Sequence, residues 1–376
     1  MTKIISVDVS LARVPLNVTT RFSTRTVTAR DYVLVKVLGD DGVAGIGFCY
    51  AGHKAGSIVV TAVRELLAPV LIGEDAYDVS GLWDAMYSEG LLHGRVGSVM
   101  RALSILDVAM WDRNARAAKT PLYRYLGSDY LGSVPAYASG GYYLEDKSPQ
   151  DLAREMASYV DLGFRAVKMK VGGADVATDA LRVKEARSAI GSDVLLMLDA
   201  NNAWQDVPAA LEYVRAFEPE NPYWIEEPFG PDDIERHAEL AKRTPVTVAT
   251  GEIEAGRWRH LELLRQGAAA ILQTDAAVCG GITEFRRIAD LAAGFEVEMC
   301  PHWFHDLHVH LVAATKNGQF VEFFPDSEVL NFRKLIDTQL DYEEGELLLP
   351  QIDGLGFGFD EDAVSRFSTG WDRIEV

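Results

Sequence analysis

Cysteine is scarce in this chain: Cys49, Cys279 and Cys300 are the only three among 376 residues. An odd number with no metal-ligand spacing excludes a disulfide framework and a structural zinc site, and fits a reducing cytoplasm. Long apolar runs are missing too; none approaches the ~18 residues of a membrane span. The opening MTKIISVDVSLARVPL alternates like a strand and lacks the apolar core of a signal peptide. Basic charge is short, with 36 Lys and Arg against 56 Asp and Glu, a net charge of −20. Such a surface repels nucleic acid and anionic lipid, so neither is expected as a partner. A small anionic substrate stays open, because a local basic site can sit in an acidic protein. No glycine-rich phosphate cradle follows a strand, which disfavours nucleotide binding.

What is present is ordered in two patterns. Residues 1–50 alternate as strands, with GDDG as a hairpin turn, and residues 57–127 carry helical periodicity. Strands followed by helices predict an N-terminal α+β module over residues 1–128. From about residue 134, eight short apolar runs alternate with amphipathic segments: VPAYAS, AVKMK, VLLMLDAN, YWIEEP, VTVATGE, AAILQTD, VEMCPH and FVEFF. This is the pattern of an α/β fold, a (β/α)7-8 TIM-type barrel over residues 129–325 with buried parallel strands. Residues 326–376, including PQIDGLGFGFD, leave the repeat and are expected to return to the N-terminal cap.

An ionisable residue stands at the end of nearly every apolar run: Lys168 and Lys170, Asp199, Glu226 and Glu227, Glu252, Asp275, His302 and Glu322. Successive steps from Lys168 are 20 to 31 residues, each close to one barrel unit. The C-terminal face of a barrel's strands is where its active site forms, so these groups are expected to converge. Asp199, Glu226 and Glu252 fall on consecutive strands. Three converging carboxylates repel one another, and a hard divalent cation, Mg²⁺ by preference, resolves that repulsion. The competing reading is that they are salt-bridged barrel residues.

Lys168 and Lys170 are two residues apart and therefore share a strand face, the barrel interior. Two ammonium groups beside a cation disfavour each other's charge, so one is expected to have a lowered pKa and act as a base. Ordinary pairing with the carboxylates is the alternative. Asp275 and His302 lie on adjacent strands, where a carboxylate on one imidazole nitrogen fixes the tautomer and leaves the other nitrogen to move a proton. His305, His308 and His310 fall on the next helix and read as structural. A metal flanked by a lysine and a histidine–aspartate dyad suits removal of a proton alpha to a carboxylate, with the metal stabilising the enediolate.

The motifs KMK, LDAN, IEEP, TGE, QTDAAVCGGIT, PHWFHDLHVHL and VEFF, in this order, resemble the enolase superfamily, mandelate racemase subgroup, along almost the entire chain. The resemblance implies Mg²⁺ on Asp199, Glu226 and Glu252, Lys170 as base on one face of the α-carbon, and Lys168 neutralising the substrate carboxylate. It implies His302 with Asp275 on the other face, a protonated Glu322 donating to the enediolate, and Asn201 on a substrate hydroxyl. Glu227 would support the metal ligands or serve as a structural partner, and Ser139 could line the site. It further implies a symmetric homo-oligomer.

Most subgroup members dehydrate sugar acids, and a few racemise or epimerise 2-hydroxy acids with the same residues. A retained non-catalytic barrel is the third reading, and here no expected ligand or base is missing. Cap loops over residues 16–28 and 50–57 are expected to close the mouth. They carry Arg21, Phe22, Arg25, His53 and Lys54, with Gly52 and Gly56 as pivots. Unless these groups are merely solvated, a cationic mouth favours a polyhydroxylated acid, with a second carboxylate on Arg21 or Arg25.

Overall fold

The computed structural model describes residues 1–130, 132–326 and 328–375. Its N-terminal strands β1 (Ile4–Phe22), β2 (Arg25–Gly39) and β3 (Ala44–Tyr50) pair antiparallel, as alternating β-branched residues dictate. The strand closest to the C-terminus, β14 (Asp372–Glu375), adds to the outer edge of β1, so the end of the chain completes the cap sheet. Helix Ser98–Ala117 lies flat on β3. That approach requires glycine: a Cβ on Gly47 would stand 1.9 Å from the Ile105 carbonyl oxygen, and one on Gly45 2.1 Å from that of Ala109.

All eight expected barrel strands form: β4 (Ser133–Gly140), β5 (Ala166–Lys170), β6 (Leu195–Asp199), β7 (Trp224–Glu226), β8 (Thr247–Thr250), β9 (Ile271–Leu272), β10 (Glu298–Met299) and β11 (Val321–Phe323). They run parallel in the order β10-β9-β8-β7-β6-β5-β4, and β11 pairs with the other edge of β4. The last seam closes through the Met299–Gly318 bridge, just ahead of β11. Hairpin β12 (Tyr342–Glu343) and β13 (Glu346–Leu348) pairs antiparallel with β4, so the C-terminal segment serves the barrel wall before it reaches the cap.

The region 16–28, expected as a loop, is instead the twisted tip of the β1–β2 hairpin, bulged between Pro15 and Thr20. Backbone pairing continues to Phe22 and Arg25, which leaves Ser23 and Thr24 as the turn. Both hydroxyls reach the barrel: Ser23 Oγ donates to the Ala200 carbonyl at 2.5 Å, and Thr24 Oγ1 to that of Asn201 at 3.2 Å.

Cap and barrel share one apolar core. Phe48 of β3 stacks on Phe332 (centroids 4.4 Å apart) and meets Phe304 edge-on at 5.0 Å. The segment after β9 is tied to the cap by Trp83 Nε1 donating to the Gly280 carbonyl (2.7 Å) and by Thr283 N donating to buried Asp107 (2.9 Å). Among the described residues no helix is long and apolar enough to cross a membrane.

Candidate active site

Register fixes the site. Lys170 pairs with Asp199 and Asp199 with Glu226 across β5, β6 and β7. All three therefore lie at one level, at the C-terminal ends of their strands. Lys168 sits one pleat below, and Glu322 projects from β11. Lys168, Asp199, Glu226 and Glu322 are each at most 1% exposed. Lys168 Nζ donates to Glu226 at 2.7 and 2.9 Å and pairs with Glu322 at 2.8 Å, while Lys170 Nζ pairs with Asp199.

Glu252, Asp275 and His302 stand just beyond the ends of β8, β9 and β10 rather than on them, because those strands stop at Thr250, Leu272 and Met299. His302 Nδ1 lies 3.2 Å from Asp275 Oδ2, and its Nε2 lies 3.6 Å from Glu252 Oε1. His308 supports the dyad from behind: its Nε2 accepts from Ala276 N at 3.1 Å and lies 3.5 Å from Asp275 Oδ1. Asn201, Asn202, Glu227 and Trp303 all have left-handed backbone (φ +44, +62, +43 and +67°) in the loops that follow β6, β7 and β10.

The charges interact strongly. Burial alone would strip both lysines of their protons. Glu226 and Glu322 outweigh it for Lys168, and Asp199 for Lys170, so both are held above the ordinary lysine value. The charges that pair with the two lysines here include Asp199 and Glu226, two of the carboxylates expected to hold the cation. Burial pushes the Glu322 carboxyl up, but Lys168, His302 and Lys170 outweigh it and bring it down to about 2. Glu226 is pushed up to about 8 by burial first and Asp199 next, because Lys168 is shared with Glu322 and Asp199. Glu227 is driven up by burial and by Glu252. His302 is raised to about 9, since Glu252 and the Asp275 bond together overcome its burial.

A cavity of about 790 Å³, including its open mouth, lies over these groups. Lys170, Asn201, Glu227, Glu252, Asp275 and His302 line it, and so does Arg25 from the hairpin tip. Arg21 and His53 do not: both are exposed outside the cavity, Arg21 because the hairpin turns its backbone onto Tyr143. Ser139, in register with Lys168, is buried below the lining with its Oγ unpartnered. Sequence reasoning missed Arg30, Tyr50, Arg101, Tyr142 and Trp303, all of which line the cavity. Strand alternation could have found Arg30, which shares a face with Tyr32, whose ring meets Phe304 at the barrel mouth.

Asp199, Glu226 and Glu252 offer an all-oxygen donor set. As placed, two of them face lysines, and among the described residues no three acidic, histidine or cysteine side chains close around one point. Two observations nonetheless fit a hard divalent cation: Glu252 Oε2 is buried without a partner, and Glu226, raised first by its burial, is pushed up further by Asp199 and Glu252.

Known proteins match along the chain. The family model described as "Mandelate racemase / muconate lactonizing enzyme, N-terminal domain" covers residues 2–127, and that described as "Enolase C-terminal domain-like" covers residues 151–363. An L-talarate/galactarate dehydratase of Salmonella typhimurium is 34% identical over 88% of this chain and 81% of its own. An arabinonate dehydratase of Saccharolobus solfataricus is 33% identical over 87% and 88%. The crystal structure of an L-talarate dehydratase from Polaromonas sp. JS666, complexed with Mg and L-glucarate, superposes with a TM-score of 0.89 over 100% of both chains at 34% identity. Other relatives are a 3,6-anhydro-alpha-L-galactonate cycloisomerase of Streptomyces coelicolor and a D-galactarolactone cycloisomerase of Agrobacterium fabrum.

Proposed function

The chain belongs to the enolase superfamily, mandelate racemase subgroup, and from that premise we propose that it is a Mg²⁺-dependent dehydratase of a sugar acid, an aldonate or aldarate. The reaction removes the proton alpha to the carboxylate and expels the β-hydroxyl as water, leaving a 2-keto-3-deoxy acid. One observation carries the reading: Lys170 on β5 and His302 beyond β10 line the same cavity from opposite parts of the barrel, and Glu227, Glu252 and Asp275 line it with them.

Asp199, Glu226 and Glu252 would hold Mg²⁺, which when bound supplies Lewis-acid charge opposite the substrate carboxylate. Lys170 Nζ takes the α-proton on one face. In its pair with Asp199 it keeps its own proton, so the base form requires that pair to open. His302 Nε2 gives a proton to the departing hydroxyl, with Asp275 holding Nδ1 in place. Lys168 and Glu322 form the buried charge pair beneath the substrate carboxylate. Donation by Glu322 would require it to take up a proton in the complex. Asn201 hydrogen-bonds a substrate hydroxyl, and Glu227 backs the metal ligands.

Racemisation of a 2-hydroxy acid uses the same Lys170–His302 pair. The relatives named as cycloisomerases keep an isomerase as the second reading. A cytoplasmic location rests on the three buried free cysteines, and a symmetric homo-oligomer would cover the exposed Leu91, Leu92 and Val96. The test is incubation with Mg²⁺ and pools of C4–C6 aldonates and aldarates. A 2-keto-3-deoxy product supports the reading. Epimer formation without keto acid favours the isomerase, and no reaction in any pool overturns both.

A further inference from the structure

Arg30 on β2 is 2% exposed, yet among the described residues its guanidinium forms no hydrogen bond and no ion pair, and its Nε is buried without an acceptor. A buried charge without a partner is costly, and native chains leave one only where something else satisfies it. Here aromatic faces do part of this. The guanidinium carbon lies 4.5 Å from the centroid of Trp303 and 5.2 Å from that of Tyr50, two rings stacked on each other at 5.3 Å. Cation–π contact fixes the position of the fork but uses none of its N–H donors.

Arg30 lines the same cavity as Lys170 and His302, and its aromatic support, Trp303, directly follows His302. Arg25 and Arg101 also line the cavity, and among the described residues neither has a side-chain ion pair. The cavity's own carboxylates, Glu227, Glu252 and Asp275, are not within ion-pair distance of any of the three arginines. The wall toward the cap is thus cationic and unneutralised, in a protein with a net charge of −20.

The geometry points to a second carboxylate subsite centred on Arg30, so that the substrate is a dicarboxylate, an aldarate, held at its far end by a bidentate guanidinium–carboxylate pair. This rests on the sugar-acid reading for its near end. The far carboxylate supplies the acceptors that the buried fork lacks, and Arg25 and Arg101 add charge around it. An aldonate presents a hydroxymethyl group there and leaves the guanidinium unpaired.

Wild-type protein, Arg30→Gln and Arg30→Lys, each in Mg²⁺ buffer, are titrated calorimetrically with C4–C6 aldarates and their matched aldonates, and the same acids are assayed for keto-acid product. The expected result is aldarate binding about 100-fold tighter than the matched aldonate in wild type, as for a buried charge pair against a missing partner. That preference is lost in Arg30→Gln and partly restored in Arg30→Lys. Aldonates binding as tightly as aldarates, or a preference that survives in Arg30→Gln, overturns the subsite. If Arg30→Gln fails to fold by circular dichroism, the wild-type comparison and Arg30→Lys decide. Dehydration of aldonates alone would refute the subsite and leave the reaction standing. An aldarate preference in binding with no dehydration of either series would do the reverse.

Discussion

His310 links the barrel to the segments that cap it, and it should make the fold acid-sensitive in a window that can be worked out. Its Nδ1 accepts from Tyr123 N at 3.2 Å and its Nε2 faces the Leu355 carbonyl at 3.1 Å, with the ring fully buried. Only one neutral tautomer satisfies both contacts, because Nδ1 must be bare. Protonation would set an N–H against the Tyr123 N–H inside the core. Burial accordingly lowers its pKa from 6.5 to about 4. Above the unfolded value both states are neutral and the stability is fully present. Between 6.5 and 4 the unfolded chain binds the proton and the native chain does not, so stability is lost as pH falls through that window. The shift corresponds to about 3 kcal/mol. The assay is urea unfolding of wild type and His310→Gln at several pH values from 7.5 to 4. At pH 7.5 the variant should be less stable by about 1–2 kcal/mol, for one compromised hydrogen bond. That deficit should shrink or reverse by pH 4, because only wild type loses the His310 contribution. A deficit that stays constant across the window would show that His310 is not an acid-sensitive group of the fold.

Gly47→Ala drives a methyl into the Ile105 carbonyl and should lower stability by about 3 kcal/mol, visible as a fall in Tm, with β3 and helix Ser98–Ala117 forced apart. Chelation of divalent ions should abolish keto-acid formation, and added Mg²⁺ should restore it with no change in far-ultraviolet circular dichroism. Activity that survives chelation would remove the metal from the account.

The barrel was legible because its strands are buried on both faces and read as short unbroken apolar runs. The site was legible because lysines and carboxylates recur at the ends of those runs, where apolar residues would otherwise continue. Charge states were not legible. The sequence places Lys168 and Lys170 side by side, but only the folded barrel shows that Asp199, Glu226 and Glu322 pair with them. The hairpin tip escaped because LNVTTRFSTRTVT is polar on both faces: it pairs along its backbone beyond the core and buries little that would betray a strand. Arg30 escaped for a related reason. It shares a face of β2 with Tyr32, but a charged residue just ahead of an apolar run reads as solvated until the cap folds over the barrel and buries it.

We propose that Lys170 and His302 address one α-carbon from two sides. The direct measurement is proton NMR in D₂O with Mg²⁺ and the sugar acid identified by the keto-acid screen, comparing wild type with Lys170→Ala and His302→Asn. Wild type is expected to form the 2-keto-3-deoxy product. Each variant should still bind Mg²⁺ but lose turnover by about a thousandfold or more. Full turnover in either variant would contradict it.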